Sequence, residues 1–254
     1  MKKIAIFIPT YNAAHTLPRV IDRIPREIKK RVKEIIVIDN ASPDNTYLTA
    51  IGYKQEKGLS NLNVIRNEHN LGYGGSQKKA YEYVLRKKYD IVVMLHGDAQ
   101  YAPELLPKLL LPIEQGKADL VFGSRMKGNP LGGGMPIIRY MGNKFLTWVE
   151  NLVLGMDLSE YHSGYRIYSC KALRKVRFDK CSNDYHFDTD ILIQAKLLKF
   201  RIVEMPIPTH YGKEAHSPTP MQLVKYSLNI LSEMAEFWLH KKGIAKNSKF
   251  ILSK

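Results

Sequence analysis

The sequence predicts an α/β fold, a mainly parallel sheet with helices on both faces, in a single domain that carries an amphipathic helix at its C-terminus. Three observations lead there. Short, β-branched, nearly continuous apolar runs alternate with segments of helical period through the first half of the chain. Runs of that kind suit strands buried on both faces, and strand–helix–strand order links such strands as parallel neighbours. No Ser- or Gly-rich linker, charge run or internal repeat divides the 254 residues.

Taken in order, the predicted strands are Ile4–Pro9 (IAIFIP), Glu34–Asp39 (EIIVID), Leu62–Asn67 (LNVIRN), Ile91–His96 (IVVMLH) and Ala118–Ser124 (ADLVFGS). Between them the apolar residues of His15–Pro25, Asp44–Gln55, Tyr73–Lys88 and Pro103–Gly116 recur at helical spacing. Met126–Pro136 (MKGNPLGGGMP) is too rich in Gly and Pro for a helix or a central strand and reads as a mobile loop over the site. A helix near Asn143–Leu154, an extended Tyr165–Ser169, a helix near Asp188–Leu198, a strand Arg201–Ile207 and a long helix Met221–Lys241 complete the expectation. Residues 1–125 and 126–212 form two halves of the domain, and 213–254 form the terminal helix and tail.

Composition narrows the partners. Lys and Arg number 39 against 24 acids, a formal charge of +15, which favours nucleic acid, phosphorylated small molecules or an acidic membrane face. The two cysteines, Cys170 and Cys181, have no metal-binding spacing and read as reduced thiols. The opening MKKIAIFIPTYN has no long apolar segment ending in a cleavage site, and no uncharged run approaches the roughly 20 residues of a spanning helix. A cytoplasmic protein, neither secreted nor transmembrane, is expected.

In open parallel sheets ligands bind beyond the carboxyl ends of the strands. The residues there are Thr10–Asn12, Asp39–Ser42, Asn67–Gly75, His96–Gln100 and Ser124–Arg125. His96, Asp98 and Gln100 alternate, so on an extended chain they converge. An imidazole, a carboxylate and an amide oxygen suit an octahedral divalent ion that keeps water or diphosphate oxygens. The alternative is a plain strand end with a capping Asp before the Pro103 helix. Asp39 can accept from ribose hydroxyls or base N–H groups. Asp44 reads as a helix cap. In Asn70–Ala80 (NLGYGGSQKKA) three glycines before a helix let backbone N–H groups approach an anion, with Lys78 and Lys79 behind them. The segment matches neither a P-loop nor a dinucleotide-binding fingerprint.

Together IPTYNAAHTLPRVI, VIDNASPDNT, NLGYGGSQKKA, LHGDAQYAPE and GSR, in that order, resemble a family 2 glycosyltransferase of GT-A fold, closest to its polyprenyl-phosphate (dolichol-phosphate mannose synthase-like) branch. The likeness runs from about Ile4 to Gly212. It implies that 1–125 bind a nucleotide-sugar and 126–212 face the acceptor. Pro9, Tyr11, Asn12, Asp39, Gly72, Lys78 and His96 are then donor-binding. Asp98, Gln100 and His96 stand in the metal and diphosphate motif, usually Asp-x-Asp-x-Gln, where His96 replaces the first Asp and either ligates the ion or bonds an oxygen of the donor. An imidazole ligand shifts preference from Mg²⁺ toward Mn²⁺. Arg125 and Arg139 match cations that face phosphates, and Ser163, Gly164 and Arg166 fall in the acceptor-side segment. Asp190 stands where the family usually has Glu, and HYGKEAHSP (210–218) replaces a later pattern of Arg and Ser-Lys.

The implied reaction is inverting transfer of a hexose. A cation at Asp98, assisted by Arg125, offsets charge growing on the departing diphosphate. A phosphate monoester, with a second pKa near 6, attacks without losing a proton. An alcohol acceptor needs a carboxylate base, for which Asp190 is the candidate beside its reading as an ordinary helix-cap Asp. The last helix carries an apolar face of Leu223, Val224, Ser227, Leu228, Leu231, Ala235 and Trp238, expected to pack on the domain, with binding to an anionic membrane surface as the alternative. Three rivals are a transferase to a glycan or other alcohol, a nucleotidyltransferase and a basic nucleic-acid-binding protein. PTYNAAHTLP lacks the Gly-rich basic loop of the second, and the scattered lysines lack the basic stripe of the third, so no nucleic acid partner is expected.

Overall fold

The computed structural model describes residues 2–211 and 219–252. Strands β1 (Ile4–Thr10), β2 (Glu34–Asp39), β3 (Leu62–Arg66), β4 (Ile91–Met94), β5 (Leu120–Ser124), β6 (Arg166–Ser169) and β7 (Ile202–Pro206) form one sheet in the order β3-β2-β1-β4-β6-β5-β7. The helices are α1 (Leu17–Arg23), α2 (Arg26–Arg31), α3 (Thr46–Glu56), α4 (Gly72–Arg86), α5 (Leu106–Glu114), α6 (Ile137–Leu154), α7 (Cys170–Leu173), α8 (Phe187–Leu197) and α9 (Pro220–Lys241). All neighbours pair parallel except at β6, which lies antiparallel to both β4 and β5. The expected mainly parallel sheet is present, and β6 is the extended segment whose direction the sequence left open.

Continuous apolar strands make sense once both faces are covered. Ile4, Ile6 and Ile8 pack with Ile35 and Val37 toward α1, α2 and α5, while Ala5 and Phe7 pack with Ile36, Ile38, Val92 and Met94 toward α4 and α8. Each such side chain contributes about 1.5–3 kcal/mol when taken out of water. This double burial fixes the strand register and leaves the carboxyl ends of β1, β2, β4 and β5 to carry polar loops.

One helix start and two packing arrangements differ from expectation. Helix α6 begins at Ile137, six residues before Asn143, because Ile137, Ile138 and Met141 face solvent and add nothing to a core period. Met126–Pro136 lies against the segment after β7, where Tyr211 N donates to Gly133 O at 2.9 Å. On α9 the residues that bury are Ile230, Glu233, Met234 and Phe237, whereas Val224, Leu228, Leu231 and Trp238 of the face expected to pack are exposed. The residues at 212–218, which hold the expected boundary at 212/213 and most of HYGKEAHSP, lie outside the described residues.

Helices α6 and α9 are joined to α8 by a buried polar cluster. Thr189 Oγ1 donates to Glu150 Oε1 at 3.1 Å, Glu150 Oε2 lies 3.3 Å from His162 Nε2, and His162 Nδ1 is 2.8 Å from Tyr226 Oη. Burial pushes Glu150 well above the usual carboxylate range and lowers His162 to about 3, with Arg125 adding to the latter. Above about pH 4.5 the raised Glu150 makes stability fall as pH rises, whereas below about pH 6.5 the lowered His162 makes it rise, so the two oppose each other between these values and only the Glu150 effect is left above 6.5.

Two outcomes follow from this packing. A Cβ at Gly74 would sit 2.4 Å from Ser182 O and 2.8 Å from Phe187 Cβ, so Gly74→Ala lowers stability by about 1–3 kcal/mol, read as a melting point lower by several degrees. Glu150→Gln keeps the shape of the buried group without its titration. Its melting point relative to the parent protein therefore rises between pH 6.5 and 8.5, and a pH-independent difference would refute the assignment.

Candidate active site

At the end of β2, Asp39 is fully buried. Its Oδ1 accepts from Ser42 N at 3.2 Å, and its Oδ2 lies 3.3 Å from Arg66 Nε yet has no hydrogen-bond partner among the described residues. A buried carboxylate oxygen in that state is costly, and it is satisfied by a ligand with an N–H or hydroxyl to give. Near it stand Pro9, close to the end of β1, and Tyr11 and Asn12, which follow that strand. Asn12 takes φ +52°, and its N–H donates to Ser42 Oγ at 3.1 Å. Asn40 binds Asn67, Asn70 and Leu71 N, which pins 70–71 to the same strand end.

β4 stops at Met94, so His96, Asp98 and Gln100 do not alternate along a strand. Residues 97–99 turn, with Ala99 at φ +60°, and Asp98 Oδ1 accepts from Gln100 N at 3.1 Å in an Asx-turn. Convergence by strand pleat is therefore corrected to a turn held by Asp98 itself. His96 goes elsewhere: its Nε2 lies 3.3 Å from Tyr73 Oη and its ring meets Tyr101 edge-on at 5.2 Å. Burial lowers its pKa, against the pull of Asp98 and Asp188, and leaves a neutral imidazole. Asp98 stays partly exposed with a carboxylate oxygen to offer, which with diphosphate oxygens and water fits a hard divalent ion.

Tyr73 donates to Asp188 Oδ2 at 2.7 Å, and Asp188 Oδ1 has no hydrogen-bond partner among the described residues. Burial and Asp188 hold the Tyr73 hydroxyl well above its usual range, so it remains a donor. Asp188, not Asp190, is thus the α8 carboxylate nearest His96. Two residues apart on a helix point to nearly opposite sides. Asp190 Oδ2 accepts from Ser182 N at 2.7 Å, and its Oδ1 meets Lys249 Nζ at 3.2 Å. With His186 and Glu233, Asp190 forms a set of ligand-type atoms within 4.8 Å of one another, into which Lys249 already brings a positive charge. The sequence could not separate Asp188 from Asp190, because every residue from Phe187 to Ala195 is buried and no polar face sets the phase.

Three expected cations are already engaged. Arg125 Nη2 meets Glu160 Oε2 at 2.7 Å, Nη2 also donates to His162 O, and Nη1 donates to Tyr211 Oη at 3.1 Å. Arg166, fully buried, donates to the carbonyls of Ser163, Asp188 and Tyr161 at 2.7–2.9 Å. Lys78 Nζ binds Cys181 O and Asn183 Oδ1. Gly72, at φ +77°, comes so close to Asn183 O that a Cβ there would meet it at 2.4 Å, and Gly74 N donates to the same carbonyl. The glycines therefore serve packing against 182–187, and the anion-cradle expectation is replaced by that contact. Ser163 is fully buried with its Oγ unpartnered. Arg139 differs from the others: it is partly exposed over the Tyr211 ring at 5.1 Å and pairs with no carboxylate among the described residues.

Known proteins share the sequence family and the fold that carry this arrangement. The family model for glycosyl transferase family 2 matches residues 5–177. Undecaprenyl-phosphate mannosyltransferase of Micrococcus luteus is 31% identical over 210 residues, 81% of this chain and 82% of that protein. UDP-N-acetylglucosamine–dolichyl-phosphate N-acetylglucosaminyltransferase of Methanococcus voltae is 31% identical over 83% of this chain and 86% of its own. Among solved structures, glucosyl-3-phosphoglycerate synthase of Mycobacterium tuberculosis in complex with uridine diphosphate superposes with a TM-score of 0.70 at 20% identity, over 97% of this chain and 82% of that one. The buried Asp39, the Asp98 turn and the sheet that presents both thus sit in a chain that belongs to glycosyl transferase family 2, a glycosyltransferase of GT-A fold in the dolichol-phosphate mannose synthase-like branch.

Proposed function

We propose that this enzyme moves a hexose, with inversion, from a nucleoside diphosphate sugar to a polyprenyl phosphate at the cytoplasmic face of a membrane. The observation that carries the reading is Asp39 Oδ2, buried, 3.3 Å from Arg66 Nε and without a hydrogen bond among the described residues, one strand from the partly exposed Asp98 turn. That pair suits a ligand with N–H or hydroxyl donors at one end and a metal-seeking diphosphate at the other. The relatives' acceptors, undecaprenyl and dolichyl phosphate, support the same reading.

Asp98 would hold a divalent cation, which when bound would supply positive charge against the leaving diphosphate. Gln100 N fixes the Asp98 carboxylate so that no reorganisation is needed when charge develops. His96 acts from the side, as a neutral ring on Tyr73, and Mg²⁺ and Mn²⁺ therefore both suffice. Arg125 and Arg166 position the floor through Glu160 and three carbonyls. Arg139 remains the cation available to an acceptor phosphate. Neither α8 carboxylate is poised as a base: Asp190 is buried beside Lys249, and Asp188 already accepts from Tyr73. A phosphate nucleophile needs none, and this favours it over an alcohol.

The donor half is tested by thermal shift with UDP- and GDP-sugars, with and without Mn²⁺. A metal-dependent rise is expected for one nucleotide class. Asp98→Asn removes that dependence and lowers kcat by about 10²-fold or more; normal turnover would end the proposal. The acceptor half is tested by assaying a short polyprenyl phosphate against the matching polyprenol and free sugars. Product forms on the phosphate alone, and Arg139→Ala raises its KM without changing donor binding.

A further inference from the structure

Helix α6 is inside out for a water-facing helix. Its inward residues include the polar Asn143, Thr147 and Glu150, while Ile137, Ile138, Met141, Phe145, Trp148 and Leu152 are 55–78% exposed. These six recur at helical spacing and form one stripe opposite the buried side. Helix α9 repeats the arrangement with Met221, Val224, Leu228, Leu231 and Trp238 exposed. Both helices rest on α8, α6 through Glu150 and Thr189, α9 through Glu233 and the Lys249 that also meets Asp190. They therefore lie in one layer with their apolar stripes outward. Both tryptophans of the chain are on this surface.

We propose that the outward faces of α6 and α9 form one surface that lies on an anionic lipid bilayer, with both helices in the headgroup plane. This rests on the polyprenyl-phosphate reading and names where the membrane meets the enzyme. Charge selects the occupant. The exposed or partly exposed ionic residues of these helices and the turns after them are Arg139, Lys144, Lys225, Lys241, Lys242 and Lys246 against Asp157 and Glu236; Lys225 lies 3.5 Å from Asp184, and Glu236 is held by Asn247, so the set stays strongly positive. Anionic headgroups satisfy that set. A second copy of the chain would bring like charges together across a two-fold axis. Tryptophan is favoured where one end of a side chain is apolar and the other wet. No helix among the described residues is long and apolar enough to span, so the surface lies on the bilayer. It borders the site, since Arg139 in the first turn of α6 covers Tyr211, which binds Arg125.

The test uses the full chain with vesicles of phosphatidylcholine alone or mixed with phosphatidylglycerol. Tryptophan emission shifts to the blue, and the protein cosediments, with the anionic vesicles and less so at high salt. Phe145→Glu and Leu228→Glu each weaken binding at least tenfold, while Leu111→Glu, an exposed residue on α5, does not. Donor thermal shift is unchanged in all three. Absence of a shift with any vesicle overturns the inference and leaves the donor reading standing. So does a dimer in solution that the same two substitutions dissociate. Lipid binding without transfer to polyprenyl phosphate would instead remove the acceptor reading alone.

Discussion

Arg166 is a full charge with no water on it. Its nearest carboxylate oxygen, on Asp188, is 3.7 Å from Nε, and its hydrogens go instead to three backbone carbonyls from residues 161, 163 and 188, with the Phe122 ring above. Burying a guanidinium is tolerated here because each of its three nitrogens donates to a carbonyl, and removing one partner of a buried charge costs about 3–5 kcal/mol. The geometry is accordingly rigid. It ties the loop before β6 to the start of α8 and threads β6 backward between two parallel strands. That one contact places Glu160 under Arg125, Gly164 beside Tyr101, and Asp188 beside Tyr73.

A division of charge results. The floor of the site is electrically closed, with Arg125 on Glu160 and Arg166 amid carbonyls near Asp188. The rim is open, with Asp98 partly exposed and Arg139 paired with no carboxylate among the described residues. Charges already matched inside the protein resist reorganisation, so they hold shape. Those left facing solvent are the ones a ligand can change, which is why the proposed function rests on Asp98 and Arg139 more than on the buried arginines that the motifs also marked.

The sequence made the strands legible because double burial writes itself as unbroken apolar runs, as in IAIFIP and EIIVID. Strand ends located the candidate site for the same reason, and Asp39 and the Asp98 turn lie at and just beyond the carboxyl ends of β2 and β4. What was not legible depended on direction. The period of HFDTDIL could not say which Asp faced Tyr73, since the whole helix is buried. The extended segment at Arg166 carried no mark of antiparallel pairing. Three glycines in NLGYGGS announced close approach, but to Asn183 and Phe187 in place of an anion. An apolar stripe on α9 was visible, yet its orientation followed from Glu233 and Phe237 turning inward, and a hydrophobic period cannot show that.

The inverted polarity of α6 has a physical origin in the substrate class proposed here. A lipid phosphate has two ends that demand opposite surroundings, and a soluble pocket could bury its chain only by enclosing a very long apolar tail. A helix with polar residues turned to the catalytic floor and apolar ones turned out avoids that demand, because the bilayer itself keeps the tail. Exposing those six side chains to water forgoes part of the about 1.5–3 kcal/mol that each large apolar group gains on full burial. The same side chains recover it against acyl chains only when the first turn, and Arg139 with it, comes to headgroup depth. The phosphate then reaches the guanidinium without leaving the interface, and lipid contact and acceptor capture become consequences of one helix.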